Sequence, residues 1–570
     1  MKLMRAFLIG IIAVTAYLLF LQWQFDYGGE QSRVKPELSN NTPVDQLSQP
    51  IDIAENAEQA TQASDIVLTP KKQIGSSSLS ATKSLSSLIN IETDNLIVYL
   101  NPVGGDIVHL ALKDHAEKLN SKTPLILLDN QSFTYIAQSG LIGIDGIDNQ
   151  PQRPLYKTSK TNYSLEPGQE QLQVRLNYRS AKGLVINKTY TFHRASHLIK
   201  LDYTIKNTSS QSKRINLFGQ IKHDGLEHYD NTHTFGVQPY LGGALTTEAD
   251  NYQKITFSDI QKANLQKQNK GGWIALVQHY FVGAWVPSPE DSYVYQTRFA
   301  QNTQNAPANY ILGFVGEEKI IAPHQEAHLS AEFYAGPKNH KVLKNISKHL
   351  ELTVDYGWLW FISQPLFWLL DWIHSYIGNW GWSIVLLTLF IKLCFFHLSA
   401  TSYRSMARMR QLGPKLTKLR EQYSGDKQAF SKEMMAIYKK EKINPLSGCL
   451  PILVQMPVFI ALYWTLLESV ELRHSPFIFW IKDLSVMDPY FILPILMGIS
   501  MFLQQQLSPT PIADPIQAKV MKSLPVIFTV FFLWFPSGLV LYWLVNNILS
   551  IAQQWFITRQ IERKAKNSKA

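Results

Sequence analysis

Cysteine is nearly absent from this chain: Cys394 and Cys449 are the only two among 570 residues. Both lie in or beside apolar stretches of the C-terminal third, so the large polar part of the chain folds without a disulfide. Cysteine usage therefore does not identify the compartment of that polar part.

Motifs of common catalytic and energy-coupling sites are also missing. The chain contains no Walker-type phosphate loop, no His-Glu-x-x-His motif and no Gly-x-Ser-x-Gly motif. These absences argue against an ATP-driven pump and against a protease of those classes. We therefore predict no catalytic residue, no cofactor and no metal, and expect that the protein is not an enzyme.

Charge is scarce in the stretch 380–400, where Lys392 stands in an almost entirely apolar sequence. This stretch is long enough to cross a bilayer, which takes roughly 20 residues. A charge well inside such a helix costs about 2.5–3.5 kcal/mol. The lysine either snorkels to the nearer interface or faces a polar cavity. The position of Lys392 alone does not decide between these two arrangements, because the polar run that starts at Ser399 is only about two helical turns away.

The N-terminus resembles a targeting segment. Lys2 and Arg5 precede an apolar run at 6–21, and Trp23 suits an interfacial position. Because no small-x-small site follows the run, we predict an uncleaved signal anchor at 1–25 rather than a cleaved signal peptide. The polar, aperiodic residues 26–90 predict a flexible linker on the outer side.

Short alternating runs predict an all-β domain at 91–345. Many strands at short spacing, without a long helical pattern before about residue 340, favour a β-sandwich. One segment of this domain is rich in metal-ligating residue types, but their spacing matches no common ligand pattern, so a solvated loop is favoured. These residues are His223, Asp224, Glu227, His228, Asp230 and His233.

The C-terminal third predicts a polytopic helical membrane region. An amphipathic interfacial helix is expected at 355–378, followed by a five-span core at 379–557 and a basic tail at 558–570. This arrangement places the segments rich in lysine and arginine on the cytoplasmic side, in agreement with the positive-inside rule. Both chain ends then lie in the cytoplasm. With the signal anchor there are six spans, the last five at 379–400, 447–467, 490–507, 524–537 and 538–557.

A basic segment at 401–446 carries eleven lysines and arginines against four acidic residues. Apolar residues at helical spacing on both sides of Asp426 predict a helical hairpin, with Asp426 as an N-cap. The charges either only enforce topology or dock ribosomal RNA, anionic lipid or a nascent chain. The candidate docking residues are Arg404, Arg408, Arg410, Lys415, Lys418 and Arg420.

Several polar residues accompany Lys392 in the predicted spans, while no acidic residue lies in the core of any span. Thr388 is one turn before Lys392, and Gln455 lies in the next span. Such residues avoid lipid, so they either form interhelical hydrogen bonds or line a hydrated groove. Because no carboxylate is present to pair with Lys392, the hydrated groove is favoured. The last span contributes Asn546, Asn547, Ser550, Gln553 and Gln554.

Extended motifs resemble the YidC family of bacterial membrane protein insertases. In the helical part these are NPLSGCLPILVQMPVFIALYW at 444–464, FFLWFPSGLVLYW at 531–543 and YGWLWFISQPLFWLLDWIHSYIGNWGW at 356–382. In the polar part, YLGGALTT at 240–247 and GGWIALVQHYFVGAWVP at 271–287 resemble the family's large periplasmic domain. The resemblance covers nearly the whole chain except the linker.

The resemblance implies a Gram-negative inner-membrane protein with a periplasmic β-supersandwich. It also implies a five-helix core whose hydrophilic groove is open to the cytoplasm and to lipid. Lys392 stands where the family usually has arginine, and Thr388 matches a threonine that contacts substrate in relatives. Trp543 stands where relatives commonly have tyrosine, so this chain lacks that hydroxyl.

The resemblance further implies an insertase and chaperone for newly made membrane proteins, working alone or with the Sec translocon. Expected partners are nascent membrane proteins, the ribosome and the phospholipid bilayer, with the protein acting as a monomer. Because the sandwich resembles sugar-binding folds, the alternative function is a membrane-tethered periplasmic protein that binds or modifies glycans. That alternative needs paired carboxylates or an acid/base histidine in a groove of the β-domain.

Overall fold

The computed structural model describes residues 88–149, 153–228, 239–300, 308–423, 425–441, 450–507 and 515–567. The predicted signal anchor and nearly all of the predicted linker lie outside these residues. The first strand begins at Ile89, so the last two residues of the range 26–90 belong to the folded domain and not to a linker.

The described part of the N-terminal half is built from strands with alternating burial, as in Gln171–Arg179, where Val174 and Leu176 are buried and their neighbours face water. The strands are β1 (Ile89–Glu92), β2 (Leu96–Asn101), β3 (Asp106–Ala116), β4 (Pro124–Leu128), β5 (Tyr135–Ile142), β6 (Asn162–Ser164), β7 (Gln171–Arg179), β8 (Leu184–His193), β9 (Leu198–Asn207), β10 (Lys213–His223), β11 (Gly242–Leu245), β12 (Gln253–Ile255), β13 (Gln266–Lys270), β14 (Ile274–Val277), β15 (Phe281–Pro287), β16 (Ser292–Ala300), β17 (Asn309–Gly316), β18 (Lys319–Ile321) and β19 (Glu326–Pro337).

These strands form two sheets, which confirms the predicted β-rich domain. The 11-stranded sheet has the order β13-β16-β17-β10-β5-β3-β2-β1-β6, with β18 beside β10 and β4 beside β3. The 8-stranded sheet has the order β12-β11-β14-β15-β19-β9-β8-β7. Described neighbours pair antiparallel, except β1 with β6. Side chains from both sheets share one core: Trp285 on β15 packs near Phe314 on β17 and donates its indole N–H to the carbonyl of Gln220.

The described part of the C-terminal half is helical, after two short helices within or next to the β-domain. The helices are α1 (Phe257–Lys262), α2 (His340–Ile346), α3 (Trp360–Ile377), α4 (Trp380–Cys394), α5 (Phe396–Gln411), α6 (Gly413–Gln422), α7 (Lys427–Lys440), α8 (Leu450–Glu468), α9 (Ile492–Leu507), α10 (Pro515–Phe531) and α11 (Ser537–Asn567).

The helix boundaries differ from the predicted spans; α10, for example, begins at Pro515 and not at 524. The stretch 379–400 is not one straight helix, because the chain bends by 67° at Phe395. Beyond the bend, Ala400 and Tyr403 of α5 are buried against Ile557 of α11, and this packing turns the chain away from the axis of α4. At the C-terminus, α11 runs through the predicted tail to Asn567 as continuous helix.

The break before α11 is a turn between two separate helices. A 3-10 turn at Phe532–Trp534 ends α10, and α11 begins after Pro536. The N–H groups of Ser537 and Gly538 bind the carbonyls of Val486 and Leu484, which lie before α9. The start of α11 is thereby fixed beside the start of α9.

A helix must be both long enough and apolar enough to cross a bilayer. No single helix among the described residues meets both requirements. The bent pair Trp380–Cys394 and Phe396–Met409 meets them together, and shorter apolar helices occur at Val454–Glu468, Ile492–Leu507 and Lys522–Trp534.

Candidate functional site

Lys392 lies in the last turn of α4 and points its ammonium group at two other helices. The helix starts at Asn379, whose side chain caps it by accepting the N–H of Trp382. Lys392 Nζ donates to Ser550 Oγ on α11 at 2.7 Å and to Gln455 Oε1 on α8 at 3.4 Å. The lysine therefore joins three helices through hydrogen bonds.

Further polar groups extend this contact into a cluster. The amide of Gln455 donates to Asn546 Oδ1 and lies 3.5 Å from the hydroxyl of Tyr542. Ser550 also donates to the carbonyl of Asn546, one turn earlier on the same helix. We call Lys392, Gln455, Tyr542, Asn546 and Ser550 the Lys392 cluster.

The Lys392 cluster carries one positive charge in mostly apolar surroundings. Among the described residues, no carboxylate forms an ion pair with Lys392, and neutral oxygens alone accept its hydrogen bonds. An unpaired ammonium group with only neutral partners is suited to attracting an anionic group. A depression adjoins it, lined by Ile391, Lys392, Phe395, Leu398, Ser399, Val454 and Gln455.

Three predicted groove residues lie outside the Lys392 cluster. Thr388 is buried, and its hydroxyl donates to the carbonyl of Ile384 in its own helix. Asn547 donates to Ser500 on α9. Trp543 packs against the ring of Phe459 at 4.4 Å, and its indole nitrogen is buried without a hydrogen bond. The structure therefore brings Lys392, Gln455 and Asn546 together and places these three apart from them, and a role for the three in a groove stays a prediction.

Tyr542 was missed by sequence reasoning, and Ser550 was noted only as a polar residue of the last span. Tyr542, Asn546 and Ser550 stand four residues apart and so share one face of α11. That spacing is visible in the sequence and could have identified the face directed at Lys392.

The basic segment forms the predicted hairpin. The side chain of Asp426 caps α7 by accepting the N–H groups of Gln428 and Ala429. Met409, Leu412 and Leu416 are buried with Tyr438, so the apolar seams pack together. Of the candidate docking residues, Arg404, Arg408, Lys415, Lys418 and Arg420 have exposed side chains, while the side chain of Arg410 is outside the described set. Lys415 pairs with Glu441.

The histidine-rich segment is only partly a solvated loop. His223 is fully buried, so the loop interpretation is wrong there. Its Nδ1 accepts the N–H of Gly225, its ring stacks on Phe257, and burial lowers its pKa to about 4. Asp224 and His228 lie beside it and bind each other at 2.9 Å, while Asp230 and His233 are outside the described residues.

Comparison with known proteins assigns both halves of the chain. Residues 88–369 match the family model described as YidC periplasmic domain, and residues 372–565 match the model described as 60Kd inner membrane protein. The chain is 49% identical over 569 residues to the membrane protein insertase YidC of Marinomonas sp. (strain MWYL1), covering 99% of this chain and 100% of the relative.

A second relative agrees with this assignment. The membrane protein insertase YidC of Stutzerimonas stutzeri (strain A1501) is 50% identical over 568 residues, covering 99% of this chain and 100% of the relative. A solved structure of an active YidC insertase is similar with 15% identity and a TM-score of 0.36, covering 85% of this chain and 94% of that chain.

Proposed function

Because the chain belongs to the YidC family of membrane protein insertases, we propose that the Lys392 cluster receives the hydrophilic part of a client during insertion. The protein is an inner-membrane insertase with a β-rich periplasmic domain. The observation that supports the proposal is the position of Lys392, whose ammonium group joins three helices through neutral partners alone.

The proposed topology has six spans with both chain ends in the cytoplasm. The signal anchor supplies the first span, and α4 with α5, α8, α9, α10 and α11 supply the others. The basic hairpin and the basic end of α11 then lie on the cytoplasmic side, in agreement with the positive-inside rule. The Lys392 cluster lies toward that side of the core, since Lys392 is in the last turn of α4 before the basic hairpin.

Insertion begins, in this proposal, when a short acidic tail of the client approaches Lys392. The tail's carboxylates lose water on entering the groove, and attraction to the ammonium group offsets part of that cost. The apolar helix of the client meanwhile partitions into lipid, which yields about 25 cal/mol per Å² of buried apolar surface. A membrane potential contributes about 2.3 kcal/mol per 100 mV for each negative charge moved outward. No nucleotide is required.

Client delivery uses the exposed basic face of the hairpin. Arg404, Arg408, Lys418 and Arg420 are exposed while the apolar seam is buried, so their charges are available to an anionic surface. We assign this face to ribosomal RNA and nascent chains, with anionic lipid and the Sec translocon as the other partners to test.

The charge of Lys392 is tested by an insertion assay in cells that depend on the variant protein. Two clients are compared: one with an acidic tail, and the same client with its tail carboxylates changed to amides. We expect Lys392→Ala to reduce insertion of the acidic client several-fold more than that of the neutral client, and Lys392→Arg to retain it.

Lys522→Ala, an exposed lysine on α10, is the matched control and should insert both clients normally. Normal insertion of the neutral client also shows that the Lys392→Ala protein is folded. Full insertion of the acidic client by Lys392→Ala would show that the charge is dispensable and would overturn its proposed role.

A further inference from the structure

The end of strand β3 nearest the helical region is irregular. Leu112 pairs with Leu125 on β4, but Ala116 pairs with Pro124, so three residues of β3 are inserted between pairs that are adjacent on β4. Side chains of neighbouring strand residues normally point to opposite faces, and such a bulge breaks that alternation. As a result Asp114 Oδ1 and His115 Nδ1 lie 3.0 Å apart.

A third ligand-type side chain reaches the same point from the other sheet. His197 lies in the turn between β8 and β9, and its Nε2 is 3.1 Å from Asp114 Oδ2. One donor atom from each of Asp114, His115 and His197 lies within 4.8 Å of the other two. His115 Nδ1 is buried without a hydrogen bond of good geometry, so this imidazole nitrogen has no satisfactory partner in the protein.

The donor set matches a transition-metal ion better than Mg²⁺ or Ca²⁺. Two imidazole nitrogens and one carboxylate oxygen suit Zn²⁺, whereas Mg²⁺ and Ca²⁺ prefer oxygen ligands. Zn²⁺ bonds of about 2.0–2.2 Å in a tetrahedral site place ligand atoms roughly 3.3 Å from one another. Asp114 Oδ1 lies 3.0 Å from His115 Nδ1 and 3.3 Å from His197 Nε2, so the spacing around this one oxygen already fits such a site.

We propose that Asp114, His115 and His197 bind one Zn²⁺ ion that links the two sheets of the periplasmic domain. Asp114 is partly exposed, which leaves room for water as the fourth ligand. This site is independent of the Lys392 cluster and of client binding.

The site adjoins the contact between the periplasmic domain and the helical region. Arg473, which follows α8, donates to the carbonyls of Ala116 and Glu117 at 2.8 and 2.9 Å. A metal ion on Asp114 and His115 would fix the strand end that Arg473 binds. The positive charge of Arg473 nearby lowers the expected affinity, so we expect micromolar rather than tighter binding.

Zinc binding is measured on the purified full chain in detergent after treatment with a chelator. Titration with ZnSO4 against a chromophoric competitor, in excess Mg²⁺, should show one site that Asp114→Asn and His197→Gln each weaken at least tenfold. Co²⁺ in place of Zn²⁺ should give the visible absorption of a tetrahedral site in the wild type and not in these variants.

Two control variants separate this site from other histidines. His328→Ala removes an exposed imidazole next to Glu326, and His228→Ala disrupts the second His/Asp group, so both should keep the zinc site. The thermal transition of each variant in chelator shows whether it is folded.

Three results would overturn the assignment. They are no zinc binding by the wild type at micromolar concentrations, unchanged affinity in His197→Gln, and loss of the site in His228→Ala instead. If a variant does not fold, a wild-type thermal transition that stays unchanged as zinc is added still overturns the proposal, because a bound ion must raise it.

Discussion

Lys188 and Lys392 both hold an ammonium group away from bulk water, but in different surroundings. Lys188 is fully buried between the sheets, where it donates to the carbonyls of Gly104 and Ser139 at 2.9 and 3.1 Å. Three tyrosine rings surround it, at 5.4–5.9 Å from Nζ to each centroid. Lys392 is only half-buried and binds side-chain oxygens instead of backbone carbonyls. The first arrangement is suited to holding a fold together, the second to exchanging partners.

Lys188 should make the stability of the β-domain depend on pH. Burial lowers the pKa of Lys188 from its ordinary value of 10.5 to about 7. Between about pH 7 and 10.5 the unfolded chain therefore binds more protons at this site than the folded chain, so the free energy of unfolding rises with pH there. The slope is at most about 1.4 kcal/mol per pH unit.

We expect Lys188→Met to remove this contribution between pH 7 and 9, as measured by thermal unfolding of the full chain in detergent. Lys206→Met, at an exposed position on β9, is the control and should keep the wild-type slope. An identical slope in Lys188→Met and the wild type would contradict the assignment.

At the scale of elements, α9 and α10 approach each other at a residue without a side chain. A methyl group built on Gly498 would overlap Thr529 Oγ1 and lie 3.1 Å from Thr529 Cβ. Thr529 has little freedom to move, since its hydroxyl donates to the carbonyl of Pro525. The small residue therefore sets the distance between these helices, as is common in membrane helix packing.

Gly498→Ala should destabilise the helical region by about 1–3 kcal/mol, the usual cost of overpacking. Thermal unfolding of the full chain in detergent measures the change. Adding Thr529→Ala should recover part of the loss, because it removes the atom that overlaps. Gly413→Ala is the control, since nothing lies within 4 Å of its added methyl group. Equal stability of Gly498→Ala and the wild type would refute this account.

At the scale of the whole molecule, the two halves meet through buried polar contacts. Lys338, after β19, pairs with Glu468 at the end of α8 at 2.7 Å, with side chains only 2% and 3% exposed. His279 donates to the carbonyl of Leu467 at 2.9 Å. Asn339 binds Glu471, and burial raises the pKa of that carboxyl to about 7. Such contacts favour a fixed orientation of the periplasmic domain on the helical region.

Removing one member of the buried pair should weaken this connection. Lys338→Ala leaves the Glu468 carboxylate buried without its partner, which typically costs 3–5 kcal/mol. We expect a lower thermal transition, or separate transitions of the two halves, in calorimetry of the full chain. Lys338→Met combined with Glu468→Leu should restore much of the loss, because no charge is then left unpaired.

The exposed pair Lys341–Asp371 provides the comparison. The Lys341 side chain is 71% exposed, so Lys341→Ala should change stability by no more than about 1 kcal/mol. Equal effects of Lys338→Ala and Lys341→Ala would show that burial of the first pair has no special importance.

The sequence by itself determined the properties that arise within a few neighbouring residues. Alternating polar and apolar residues predicted the β-domain, helical spacing predicted the basic hairpin, and a carboxylate in the right place predicted the cap at Asp426. The cost of burying a charge identified Lys392 before any neighbour was known. These results depend on local periodicity and on solvation, which a single sequence displays directly.

Only the tertiary structure decided which side chains meet. Successive residues of a helix differ in direction by about 100°, so Tyr542 joins the Lys392 cluster while Trp543 packs into an aromatic core. Packing of α5 on α11 bends the chain at Phe395, although the apolar stretch continues across it. His197 reaches Asp114, 83 positions earlier in the chain, because the two sheets pack together. Such meetings depend on long-range packing, which no local pattern of the sequence records.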